Sequence, residues 1–262
     1  MPELPDLYIF AENLKKRILN KTISSVTVYN TRKIATPDYY RQKMTGTSIQ
    51  DIVRDGKELF FMLANDNCFS VHLMLSGQFF TGNQDEAGKI KSKILGIGFE
   101  DDAQVFVVSD YQNLCRVSWN PKRSGVPDAM SKKFTFDYFV NGIKKSQYKN
   151  IKALLIDQSF VRGIGNAYAD EILWKADISP ESVSGKIPEE KLKDLYEAIP
   201  CVLNDAIQNI KRLSPDIISG ENRSFLAVHV KGREFTSEGD KILVKTVAEK
   251  TTYFTDRQKK YV

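Results

Sequence analysis

The sequence predicts an α+β, multi-domain chain, with β-structure first, helices next and a β-hairpin last. Three observations carry that expectation. At 262 residues, with 42% hydrophobic and 11% aromatic side chains, the chain can bury more than one core. Between Thr22 and Trp119, short β-like runs follow one another with no helix between them. From Phe134 the apolar residues recur at helical spacing, and β-like runs return only after Phe225.

The opening MPELPDLYIF leads into a helix in which Leu7, Phe10, Leu14 and Ile18 share one face, with Asp6 as a fair N-cap behind Pro5; it should end near Leu19. Next come the strand candidates TISSVTVYN, TSIQDIV, ELFFML, CFSVHLML, ILGIGFE, QVFVVSD and CRVSW, separated by turn signals such as NDN and EDDA. Such spacing suits a sandwich or a barrel over residues 1–120. The polar, basic stretch NPKRSGVPDAMSKK makes 121–133 the expected linker. Helices are expected in FTFDYFVNGIKK, NIKALLIDQ, AYADEILWKA and a long segment to Leu213 that Pro200 should kink or divide, within a helical domain of residues 134–224. FLAVHVKGREF, KILVKTV and TTYFT then read as hairpin strands over 225–262.

Composition excludes several classes. No apolar run is long enough to span a bilayer, and no signal-peptide pattern opens the chain, so a cytoplasmic protein without membrane contact is expected. Cys68, Cys115 and Cys201 form no CxxC pair and read as reduced core thiols; with only His72 and His229 besides, no metal site is expected. The net charge is +5, and it is localised: residues 121–175 carry 10 basic and 5 acidic side chains, whereas the flanking regions balance. Localised positive charge suits a polyanion, although a merely solvated face would read alike.

Two stretches carry chemistry. In IDQSFVRGIGNAYADEIL, Gly163 and Gly165 bracket a tight turn and Asn166 caps the following helix, which would collect unpaired N–H groups into a phosphate cradle. A plain helical hairpin would look the same. At the N-terminus, removal of Met1 would leave Pro2 as a free secondary amine beside Glu3. An α-amine titrates near about 7.7–8.0, so a neutral fraction exists at pH 7; a lysine at about 10.4 would need a large depression. In VRDGKELFF, Lys57 follows the hairpin signal Asp55-Gly56.

Taken together, PELPD at 2–6, Lys57 in RDGK, HLMLSG at 72–77 and GIGNAYADE at 163–171 resemble the formamidopyrimidine-DNA glycosylase/endonuclease VIII family from end to end. The resemblance implies an N-terminal β-sandwich flanked by helices, a helix–two-turns–helix domain and a small C-terminal β-hairpin finger. It also implies a monomeric base-excision repair enzyme acting on damaged double-stranded DNA without a cofactor. Pro2 would attack C1′ of the deoxyribose and form an iminium. Glu3 would act as acid and base, and Lys57 would hold a phosphate. Asn166, Gly163, Gly165 and Lys250 would contact the DNA backbone. Leu75, Gln112, Asn113 and Leu114 would fill the void left by the extruded nucleotide.

The chain departs from the family pattern at Leu75, where the family usually has Met, at Lys250, where it usually has a phosphate-gripping Arg, and in a loop and the finger. Asp110–Cys115, DYQNLC, stands where the family has DPRRFG. Thr236, Gly239, Thr255 and Gln258 stand where it has zinc-binding cysteines, which implies a zincless finger packed through Ile242, Val244, Tyr253 and Phe254. Retention of Pro2, Glu3, Lys57 and Asn166 favours an active glycosylase and lyase. The altered loop and the exchange at Lys250 feed the alternative, a damaged-DNA or abasic-site binder that has lost turnover.

Overall fold

The computed structural model describes residues 1–262 as two compact units. The first holds Met1–Pro2, Asp6–Arg123 and Ser214–Glu221; the second holds Glu3–Pro5, Ser124–Leu213 and Asn222–Val262.

In the first unit, helix α1 (Leu4–Ile18) precedes β1 (Ile23–Val28), α2 (Pro37–Met44), β2 (Ile49–Asp55), β3 (Glu58–Leu63), β4 (Cys68–His72), β5 (Gly77–Asn83), α3 (Gln84–Gly88), β6 (Lys93–Phe99), β7 (Asp102–Asp110) and β8 (Arg116–Trp119). The strands form two four-stranded antiparallel sheets, ordered β1-β6-β7-β5 and β2-β3-β4-β8. Their inner faces meet on aromatic rings. Phe61 stacks on Phe69 at 4.6 Å within one sheet and reaches Phe79 and Phe106 of the other at 6.0 and 5.4 Å. This is the β-sandwich, and the buried stripe Leu7, Phe10, Leu14 and Ile18 of α1 packs into the same core.

Several details differ from the sequence reading. Helix α1 begins at Leu4, so Asp6 lies in its first turn instead of at the cap. Short helices do interrupt the strands: α2 buries Tyr40 and Met44, an apolar pair four residues apart, and Asn83 starts α3 through a capping box with Glu86. Strand β5 escaped notice because Gly77 and Gly82 punctuate it like a loop. Cys201 is exposed and therefore not a core thiol.

The segment 214–221, placed by sequence with the helices, belongs to the first unit for a specific reason. The Asn13 amide donates to the carbonyls of Pro215 and Ile217 at 2.8 and 2.9 Å, and Arg17 donates to that of Asp216 at 2.6 Å. Ser219 Oγ accepts from the Phe79 N–H and donates to its carbonyl, both at 2.6 Å.

The second unit contains α4 (Phe136–Lys145), α5 (Ile151–Leu155), α6 (Asn166–Lys175), α7 (Glu189–Leu213) and the hairpin β9 (Ile242–Val247) with β10 (Lys250–Thr255). Part of the expected linker is fixed to this unit: Ala129 donates to the Arg162 carbonyl at 2.9 Å, and Arg162 donates to that of Pro127 at 3.0 Å. Pro200 does not divide α7. The proline faces solvent, where water can serve the carbonyl it leaves unpaired, while Leu195, Ile199, Leu203 and Ile207 hold the buried face. Residues 225–235 form no strand, because the Glu171 carboxylate accepts the N–H groups of Ala227, Val228 and His229 at 2.7–2.9 Å.

The hairpin turn Ala248-Glu249 has both residues at positive φ, 51° and 59°, which matches the twist of the paired strands. Val244 is exposed, so only Ile242 and Phe254 of the expected packing set are fully buried. Thr236, Gly239, Thr255 and Gln258 supply no thiolate and do not fit a zinc ion. Hydrogen bonds close the two turns instead. Thr236 Oγ1 accepts from the Asp240 N–H at 3.1 Å, and Gln258 Oε1 accepts from the Thr255 N–H at 2.8 Å. Arg257, in the second turn, pairs with Glu238 and Asp240 of the first and with Asp177, while its guanidinium lies 4.9 Å over the Trp174 ring. One cation on a side chain thus cross-links the turns.

Candidate active site

Glu3 is the best-defined residue of the site. Its carboxylate accepts the N–H groups of Gly165 at 2.7 Å, Ala167 at 2.9 Å and Tyr168 at 3.3 Å, so it caps α6 from a distant part of the chain. The N-terminal end of a helix is electropositive and presents unpaired donors, which is why an acid settles there. Leu4 adds a hydrogen bond from its N–H to the Gly163 carbonyl at 3.1 Å.

This arrangement corrects the phosphate-cradle reading of Gly163 and Gly165. A Cβ on Gly165 would lie 2.4 Å from the Glu3 carboxyl carbon, and one on Gly163, at φ +102°, would lie 2.6 Å from the Leu4 side chain. These glycines make room for the arm 3–5. Nor does Asn166 cap the helix by its side chain; Gly165 occupies that position. The Asn166 amide instead donates to the Thr251 carbonyl at 2.9 Å, which sets it beside Lys250, exposed at the start of β10.

Beneath these residues lies a chain of buried charge that the sequence did not reveal. Lys152, fully buried, pairs with Asp170 at 2.7 Å and donates to Thr252 Oγ1 at 2.5 Å. Asp170 also accepts from the Tyr253 N–H at 2.9 Å and lies 2.7 Å from His229 Nδ1. Burial pulls Lys152 below the usual lysine range; Asp170 and Glu3 oppose that fall, and Lys250 adds to it. The network ties α5, α6 and β10 together and so fixes where Asn166 and Lys250 stand. Its signal in the sequence was a lysine set among Ile151, Ala153, Leu154 and Leu155.

In the first unit, Pro2 is buried, and the Met1 ammonium pairs with Glu221 at 2.5 Å. While Met1 is present, the Pro2 nitrogen is an amide. Lys57 occupies the two-residue β2–β3 turn with Gly56, yet it is only 9% exposed, unlike an ordinary turn lysine. Near it lies His72, the first residue of the HLMLSG motif. Burial, then the charges of Arg116 and Lys57, lower its pKa to about 4. The Met74 N–H donates to His72 Nδ1 at 3.1 Å, so the neutral ring carries its proton on Nε2. Lys57, His72 and Arg116 therefore form a donor-rich cluster suited to an anion.

The loop residues meet on the same unit. Leu75 is 60% exposed and Leu114 39%, on neighbouring loops joined by a hydrogen bond from Ser76 Oγ to Asp110. Asp110 also accepts from the N–H groups of Gln112, Leu114 and Cys115 at 2.6–3.0 Å. Burial raises the Asp110 pKa, but those bonds outweigh it and hold the carboxyl below its ordinary value. Asn113, at φ +55°, accepts from the Asn30 amide at 3.0 Å and is thereby engaged, whereas Gln112 projects outward.

Known proteins share this architecture. The model of the formamidopyrimidine-DNA glycosylase N-terminal domain matches residues 1–117, and that of the formamidopyrimidine-DNA glycosylase H2TH domain matches 126–215. The formamidopyrimidine-DNA glycosylase of Protochlamydia amoebophila is 33% identical over 223 residues, covering 79% of this chain and 77% of that protein. That of Enterococcus faecalis is 34% identical over 220 residues, with the same two coverages, 79% and 77%. Among solved structures, Lactococcus lactis Fpg in complex with DNA containing an abasic site superposes with a TM-score of 0.86 at 27% identity, covering 99% of this chain and 100% of that one. MutM in complex with DNA containing carbocyclic 8-oxo-G does so with a TM-score of 0.87 at 27% identity and the same coverage, 99% and 100%.

Proposed function

The chain belongs to the formamidopyrimidine-DNA glycosylase family, and from that premise we propose that it is a bifunctional base-excision repair enzyme, excising an oxidised base and cutting the strand through a Pro2 iminium. The observation that carries this reading is the grip of α6 on Glu3. Three backbone donors hold the residue next to Pro2, which turns a chain end into a fixed arm. Fixing a reacting group removes much of the entropy cost of attack.

With Met1 removed, the neutral Pro2 nitrogen attacks C1′ of a nucleotide swung out of the helix. The base leaves with the glycosidic electron pair and takes up a proton. The nitrogen loses its proton as the sugar ring opens, leaving a charged iminium. Glu3 moves protons around the sugar ring, and Lys57 holds a phosphate. The iminium is the electron sink for loss of a C2′ proton and departure of the 3′ phosphate; a further elimination releases the 5′ side. Asn166 and Lys250 hold backbone phosphates, while Leu75, Gln112 and Leu114 fill the vacated space. No helix is long and apolar enough to cross a membrane, and no cluster of His, Cys, Asp or Glu is placed to hold a metal ion.

The test is covalent trapping. Borohydride should reduce the iminium and yield a stable complex between Met1-processed protein and an oligonucleotide with an abasic site. Protein retaining Met1, whose Pro2 nitrogen is an amide, should give no trapped complex while binding the same DNA. Processed protein that binds abasic DNA but gives no trapped band would leave a damaged-DNA binder on this scaffold.

A further inference from the structure

We infer that Tyr111 is a fourth void-side contact, an aromatic platform that stacks on a base uncovered when the target nucleotide leaves the helix; this rests on the reading above that the protein extrudes a nucleotide from duplex DNA. Tyr111 is 70% exposed, on the same tight loop as Gln112 and Leu114. A tyrosine ring held in water costs apolar hydration, and a cluster of exposed apolar groups marks an interaction surface. Leu75 and Leu114 complete that cluster.

The backbone of the loop that carries the ring is fixed. The Asp110 carboxylate takes the N–H groups of Gln112, Leu114 and Cys115 and the Ser76 hydroxyl, fixing the backbone on both sides of Tyr111. Asn30 ties down Asn113, and the Gln112 amide lies 3.5 Å from the Tyr111 hydroxyl. An aromatic on a fixed backbone has only its own two side-chain torsions left to order on contact, which suits a platform.

The surroundings point to nucleic acid as the occupant. Lys33 and Arg116 both lie near enough to Cys115, the last residue of the loop, to act on its thiol electrostatically. Arg32 is exposed on the segment that Asn30 brings to the loop. An exposed aromatic on a loop whose adjoining segments carry cations suits DNA, because every base offers a π-face and every nucleotide a phosphate.

The experiment measures affinity for duplexes with and without a tetrahydrofuran site, an abasic analogue that cannot form the iminium. Tyr111→Ala should weaken binding to the tetrahydrofuran duplex about tenfold, and leave the intact duplex within about twofold. Tyr111→Phe should bind as wild type. A 2-aminopurine opposite the site should stay quenched with wild type and Tyr111→Phe and brighten with Tyr111→Ala. Wild-type affinity in Tyr111→Ala, or equal losses on both duplexes, would overturn the proposal. Borohydride trapping of the same variants on a true abasic site keeps the two readings apart. A trapped band from Tyr111→Ala at wild-type affinity removes only the platform, whereas no band from wild type removes the lyase reading.

Discussion

Lys57, His72 and Arg116 illustrate how much one side chain's neighbours decide. Alone, Lys57 is a turn lysine and His72 an ordinary imidazole. Together they form a cationic cluster in which burial and two neighbouring cations keep His72 neutral, with its pKa lowered to about 4. Its folded-state value lies below the unfolded value of about 6.5, so the unfolded chain binds a proton that the folded chain refuses. The contribution of His72 to stability is therefore constant above pH 6.5 and is lost as pH falls from there towards 4. Urea denaturation of wild type should steepen over that window by up to about 1.4 kcal/mol per pH unit relative to His72→Gln. Parallel curves for the two proteins would show that His72 titrates normally.

Among the elements, α6 matters most, because its N-terminal end receives Glu3. The fit depends on the missing side chain of Gly165, where a Cβ would lie 2.4 Å from the Glu3 carboxyl carbon. Gly165→Ala should therefore displace the arm by an ångström or so and slow borohydride trapping by about 100-fold, since small misplacements of reacting groups cost that much. Affinity for intact duplex should change little, because Asn166 is held independently, by its amide on the Thr251 carbonyl. A variant that traps at the wild-type rate would mean the arm does not need this anchor. The same element shows the limit of motif reading. GIGN was legible as a turn with a helix start, but the Gly165 N–H, with those of Ala167 and Tyr168 just after it, serves Glu3, more than 160 positions earlier, while the Gly163 N–H serves Gln158.

For the whole molecule, charge and the finger belong together. The basic excess lies at 121–175, mostly in the second unit, which begins again at Ser124, and the hairpin of that unit adds Lys250. Lys250→Ala should weaken binding to every duplex alike and flatten the dependence of log affinity on log salt by about one unit, the loss of one phosphate contact. Unchanged affinity across salt would mean that the hairpin does not touch DNA. The finger itself keeps its shape without cysteine, through the Thr236 and Gln258 hydrogen bonds and the Arg257 bridge between its turns.

From the sequence by itself came the order of β-structure, helices and hairpin, the buried face of α1 and, through the motifs that carry the family resemblance, the candidates Pro2, Glu3, Lys57, Asn166 and Lys250. Those features are local: periodicity, turn chemistry and short motifs are written in neighbouring residues. Tertiary structure decided what each residue meets. It gave Glu3 its helix and Asn166 its hairpin carbonyl, put His72 beside Lys57, and closed Lys152 onto Asp170. It also kept 225–235 out of a strand and returned 214–221 to the sandwich. Each of these joins groups that lie far apart in the chain, through hydrogen bonds, ion pairs and shared burial, and no window of sequence contains both partners.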